Sequence, residues 1–167
     1  MKISLAALAG LAAAWLIPRG GGTPLDTTTP TPTPPGGLTA AAEPLAALSG
    51  GVSFRLVDGV RIFLVRDGNI VDGYQGVATT PGGGPIHWCP TNHWFEGDSG
   101  GPYYDSTGVV LRYSAPRNLD RISVIVAAGQ VTIFPHSTIR GAAAPPTPDP
   151  LPSLPPPTPC AANERVG

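Results

Sequence analysis

Cysteine is scarce in this chain: Cys89 and Cys160 are the only two among 167 residues. Two thiols are too few for the framework that holds small disulfide-rich domains together. If they pair with each other, the bond ties the C-terminal tail to the body, and a chain-entropy estimate credits so long a loop with roughly 4 kcal/mol. Equally, Cys160 can bond to a second chain. An excess of one charge is also missing. Between residues 51 and 140, seven arginines stand against seven Asp plus Glu, which leaves no electrostatic footprint for nucleic acid. Within the same residues, no window long enough for a helix shows apolar residues spaced by three and four. The N-terminal hydrophobic run, residues 3–17, has 15 residues, short of the roughly 20 that a membrane-spanning helix needs.

What is present divides the chain into four parts. Met1 and Lys2 followed by the run ISLAALAGLAAAWLI form an export signal. Ala12, Ala13 and Ala14 offer small residues for cleavage, and a retained N-terminal anchor is the alternative. Residues 18–50 form a Pro/Thr/Gly-rich linker with too little to bury for it to order itself; extended, it reaches on the order of 90 Å. Residues 141–167 carry nine prolines in 27 positions and read as a second disordered, linker-like tail. Residues 51–140 remain as one small domain.

Inside that domain, short apolar runs alternate with turn signals. Runs at 52–57 and 60–66 flank Asp58-Gly59, Asp67-Gly68 leads into a run from 69 to 77, and two further runs flank Ala128-Gly129. Asp-Gly between two such runs is a strong hairpin signal. The pattern predicts a small, antiparallel all-β domain with two loop-rich insertions.

The stretch FEGDSGGPYYD, residues 95–105, admits two incompatible readings. GDSGGP looks like the nucleophile loop of a chymotrypsin-like serine protease, with Ser99 as nucleophile beside Asp98. That chemistry requires a histidine base, an orienting acid and oxyanion donors, in the order His, Asp, Ser and from two barrels. Only His87 and His93 precede Ser99 within about 50 domain residues, leaving no room for a first barrel.

The surroundings fit something else. FRLVDGVRIFLVRDGNIVDGYQGV, residues 54–77, and YYDSTGVVLRYSAPRNLDRISVIVAAGQVTI, residues 103–133, resemble the entry and exit of Rieske domains over about 80 residues. The resemblance is to the Rieske proteins of bacterial quinol oxidases and cytochrome bc-type complexes. In that family two Cys thiolates hold one iron of a [2Fe–2S] cluster and two His nitrogens hold the other. Each of two loops supplies one Cys and one His, and an extra Cys in each loop forms a clamp.

The resemblance puts the first Cys at Thr79, the first His at Pro81 and the first clamp Cys at Gly84. The second Cys falls at Gly97, the second clamp Cys at Ser99 and the second His at Gly100. A serine that bonds a cluster sulfur falls at Pro102. A tyrosine that does so is retained as Tyr104, and the shielding proline loop is partly kept as Ser114-Ala115-Pro116 after Tyr113. None of the ligand positions carries thiolate or imidazole, and soft sulfur is what selects such clusters.

The resemblance implies a Rieske-like β-sandwich that has lost its cofactor, with no cofactor-binding, catalytic or metal residues. His87, Cys89 and His93 are weak metal candidates, lacking a fourth ligand unless His136 folds back. Trp88, Trp94 and Phe95 read as a local apolar cluster, and six domain arginines (55, 61, 66, 112, 117, 121) as solvated positions. Gly82, Gly83 and Gly84 form no phosphate loop, because no helix follows them. Without a cluster, residues 79–85 and 97–102 are expected to be the most mobile part of the domain.

The expected role is non-enzymatic: a structural or docking subunit of an extracytoplasmic or membrane-associated assembly. Its partners would be protein subunits, with a possible membrane attachment through the N-terminus, and the chain would be exported, anchored facing outward or secreted. No twin arginine, the export signal suited to domains that take up a cofactor before translocation, precedes the run. The alternatives are a Rieske-type electron-transfer subunit and a serine hydrolase centred on Ser99.

Overall fold

A computed structural model describes residues 39–98, 101–112, 115–144 and 158–167. The expected export signal, most of the expected first linker, residues 145–157, Ser99, Gly100, Tyr113 and Ser114 lie outside the described residues.

Among the described residues, ten antiparallel strands make two sheets. The larger has the order β1-β10-β9-β4-β3-β2 and the smaller the order β5-β6-β7-β8. The strands are β1 (Ala41–Pro44), β2 (Gly51–Val57), β3 (Val60–Asp67), β4 (Ile70–Gln75), β5 (Ile86–Cys89), β6 (Trp94–Gly97), β7 (Tyr103–Asp105), β8 (Val110–Arg112), β9 (Arg121–Ala127) and β10 (Gln130–Ile139). A 3-10 turn, Leu45–Ala47, joins β1 to β2. Among the described residues no helix is long and apolar enough to cross a membrane.

Local chemistry accounts for the large sheet. Asp58 and Gly59 both take positive φ, 49° and 76°, closing β2 onto β3 with the twist a tight hairpin requires. Ala128 and Gly129 do the same between β9 and β10. The third turn is displaced by one residue from its predicted place. Asp67 pairs with Ile70, so Gly68-Asn69 forms the turn, and only Gly68 has positive φ.

Strand β3 alternates between two cores. Phe63 joins Tyr74, Trp88, Phe95 and Tyr104 between the sheets. Ile62 and Leu64 join Val71, Ile122, Val131 and Ile133 on the other face. The period of two thus buries β3 on both sides.

The domain is longer than the sequence implied at both ends. Residues 41–44, assigned above to the linker, form β1 on the edge of β10. In the tail, the peptides of 142 and 144 bond to Asn118 and Pro116, and residues 158–167 bond to β5 and β6. Several arginines are cross-links rather than solvated groups. Arg55 makes a forked pair with Glu43, Arg66 donates to the carbonyls of Leu45 and Leu48, and Arg61 lies over the Phe54 ring. Arg117 pairs with Asp120, whereas Arg121, which pairs with Asp72, stays exposed as expected.

Candidate functional site at the two-loop tip

The loop after β4 folds on itself. The Ala78 amide donates to the Gly84 carbonyl and the Gly83 amide to the Thr80 carbonyl, with Val77 bridging Pro85 at its neck. Gly83 has φ +46°, which a side chain disfavours. The loop after β6 is closed by the Gly97 amide on the Pro102 carbonyl and the Gly101 amide on the Asp98 carbonyl. The two loops line one cavity of about 320 Å³, bounded by Ala78, Thr80, Gly84, Gly97, Asp98 and Pro102. The loops separated in sequence by β5 and β6 therefore do meet.

Thr79 is the anchor of this tip. It is buried, and its amide donates to the Tyr104 oxygen at 3.0 Å. The Tyr104 hydroxyl and Thr79 Oγ1 are also 3.0 Å apart, and Thr79 Oγ1 donates to the Arg117 carbonyl at 2.5 Å. One assignment satisfies every group: the tyrosine donates to the threonine oxygen, whose own proton goes to the carbonyl. The first loop, β7 and the proline loop are thereby joined through two side chains.

The positions that the Rieske resemblance marks do not suit iron. Thr79 offers a hydroxyl already committed twice, and Pro81 is exposed with no donor. A Cβ added at Gly97 would stand 2.9 Å from Pro102 Cδ, so even a cysteine there would require the loop to move. A [2Fe–2S] cluster does not fit these residues. The second His and clamp positions, Gly100 and Ser99, lie outside the described residues.

His87, Cys89 and His93 do not converge. Cys89 is bonded to Cys160 across 71 residues, with 5.7 Å between the Cα atoms. His93 is exposed, at φ +57°, with its ring beside Trp88. His87 Nδ1 is 2.7 Å from the Gly167 carbonyl and Nε2 is 2.8 Å from Asp98 Oδ1. His136 lies 4.0 Å from Asp58 at the β2–β3 turn, so it supplies no fourth ligand. Cys89, Cys160 and Glu164 place donor atoms within 4.8 Å of one another, but both sulfurs belong to the disulfide.

The aromatic cluster is partly as expected. Trp88 and Phe95 touch, with centroids 5.0 Å apart, but they belong to the shared core with Phe63 rather than to a local patch. Trp94 points to the opposite face and meets Tyr103 edge-on. The alternation along β6 separates it from Phe95.

Glu96 was not among the site residues expected from the sequence. It is 1% exposed, and Oε2 accepts from the Cys160 amide at 2.9 Å. Oε1 is 3.7 Å from Arg165 and has no hydrogen-bond partner among the described residues. The signal that could have found it is a lone acidic residue inside the run WFEG, where the pleat turns it toward the same sheet's neighbours. A larger open groove, about 550 Å³, lies on the other sheet where β10 breaks register against β9, away from both loops. No protein-family model matches this chain, and no curated protein matches it.

Proposed function

We propose that this is an exported domain of Rieske form whose cluster site has been closed by protein–protein hydrogen bonds, and that it serves as a structural or docking subunit of an extracytoplasmic assembly. The observation that carries this reading is the Thr79–Tyr104–Arg117 chain. Where the resemblance calls for a thiolate ligand, a buried threonine links three segments instead. The all-β frame supports the same reading, because a small four-stranded sheet carries both loops at one end.

The hydrolase alternative is weakened by His87. Both its ring nitrogens are engaged, Nδ1 by the Gly167 carbonyl and Nε2 by Asp98 Oδ1, whereas a general base needs one of them on the nucleophile's hydroxyl. Electron transfer is weakened by the absence of soft ligands at the marked positions.

The test is metal analysis of the protein purified from its own membrane. This reading expects no stoichiometric iron, no visible absorbance, no low-temperature paramagnetic signal after reduction, and co-purifying subunits. Isolation of a coloured, redox-active form would overturn it, as would labelling by a fluorophosphonate probe that Ser99→Ala abolishes.

A further inference from the structure

The outer edge of β5 is covered by a segment far away in sequence. Trp88 and Val166 exchange both backbone hydrogen bonds, at 2.9 and 3.0 Å, so residues 165–167 act as a fifth strand beside β5. The contacts around this pair are specific. His87 meets the Gly167 carbonyl, Thr91 donates to Glu164, Asn92 donates to the Thr158 carbonyl, and Glu96 accepts from the Cys160 amide.

Gly167 sits where nothing larger enters. It has φ +105°, and an added Cβ would lie 2.5 Å from Phe63 Cζ and 3.1 Å from Phe54 Cδ2. The segment also shapes itself, through the Glu164 amide on Ala161 and Arg165 on the Cys160 carbonyl. It is a formed ligand in a formed slot, and the disulfide locks it there.

We propose that this slot is a strand-exchange site, in which residues 158–167 of a second copy of the chain can dock and be locked by a Cys89–Cys160 bond between chains. Every recognition contact just named joins the body, residues 54–96, to the strap, and none depends on which copy supplies the strap. The connection, residues 145–157, is thirteen residues with eight prolines, and a chain of that length reaches at most about 40 Å at 3.1 Å per residue. A strand edge from which its own strap is released accepts a strand from any chain, and exchange of an identical element is a low-cost route to a symmetric dimer.

Locking the strap requires an oxidant, here a small-molecule disulfide. One S–S bond forms between Cys89 and Cys160, one breaks in the oxidant, and two electrons and two protons pass to its thiols. The inference stands apart from the proposed function, since it uses neither loop of the tip.

The experiment mixes equal amounts of unlabelled and ¹⁵N-labelled wild-type chain, fully reduced, and reoxidises them with oxidised glutathione over a range of concentrations. Mass spectrometry then reads the cross-linked peptides. The proposal expects Cys89–Cys160 peptides with one light and one heavy half, rising with concentration toward half of the total. Their absence at every concentration would overturn it, as would mixed-label Cys160–Cys160 or Cys89–Cys89 pairs in equal yield, which mark random thiol chemistry.

A second arrangement pairs Cys89→Ser, as strap donor, with Cys160→Ser, as slot donor. Adding Gly167→Ala to the donor is expected to cut the interchain product at least tenfold. An undiminished yield would sink the proposed slot.

Discussion

The six-stranded and four-stranded sheets are held together by different kinds of contact. In the first, β2, β3 and β4 follow one another through two-residue turns, as do β9 and β10. In the second, strands of three or four residues are joined by longer loops, and the edge is finished by a segment from beyond residue 157. Short strands gain few ladder bonds, and a small sheet buries little by itself. The smaller sheet therefore leans on the shared aromatic core and on a covalent tie across 71 residues.

The most damaging way to test this contrast is to empty the shared core. Phe95 is fully buried between Phe63 and Trp88, at 5.1 and 5.0 Å. Phe95→Ala is expected to cost about 3–5 kcal/mol in urea unfolding. If the sheets differ as described, amide exchange in this variant accelerates far more at Trp88 than at Ile62.

Next in size is the tie itself. Replacing Cys89 and Cys160 by alanine is expected to cost roughly 2–4 kcal/mol. Exchange measured by NMR should again place the loss on β5 and β6, whereas an even loss over both sheets would erase the distinction.

Tyr104→Phe removes the hydroxyl that satisfies Thr79 and is expected to cost about 1–3 kcal/mol. Faster exchange at the Thr79 amide, with the Ala78 and Gly83 amides following, would show the tip depending on this bond. Protection unchanged at all three amides would mean the loop's own backbone bonds suffice.

The smallest effect belongs to the large sheet. Burial, and then the charge of Asp72, raise the Tyr74 phenol above its usual value near 10, with Arg121 opposing. A raised acid contributes stability that is full below the unfolded value and fades as pH rises through the folded one. Unfolding midpoints should thus fall above about pH 10, and Tyr74→Phe should flatten that part of the profile.

The same contrast explains what could be read in advance. Hairpins announced by Asp58-Gly59 and Ala128-Gly129 were legible because turn chemistry is local. Strands β5 to β7 were not, because IHWC, WFEG and YYD are too short for any period to register. The meeting of the two loops followed only from a resemblance, while the bonding of Thr79 to Tyr104 spans 25 residues and leaves no trace in either neighbourhood. The tail misled for a compositional reason: its prolines describe residues 145–157, yet the ten residues after 157 include only one, Pro159.

By itself, then, the order of amino acids settled the all-β class and the two tight hairpins, since backbone sterics and alternation act over a few residues. Tertiary structure alone decided which thiol Cys89 meets, that Glu96 is buried under the strap, and that only glycine fits against Phe63. Those outcomes depend on distances between segments that are 64 to 104 residues apart in the chain, and such distances exist only once the sheets have packed.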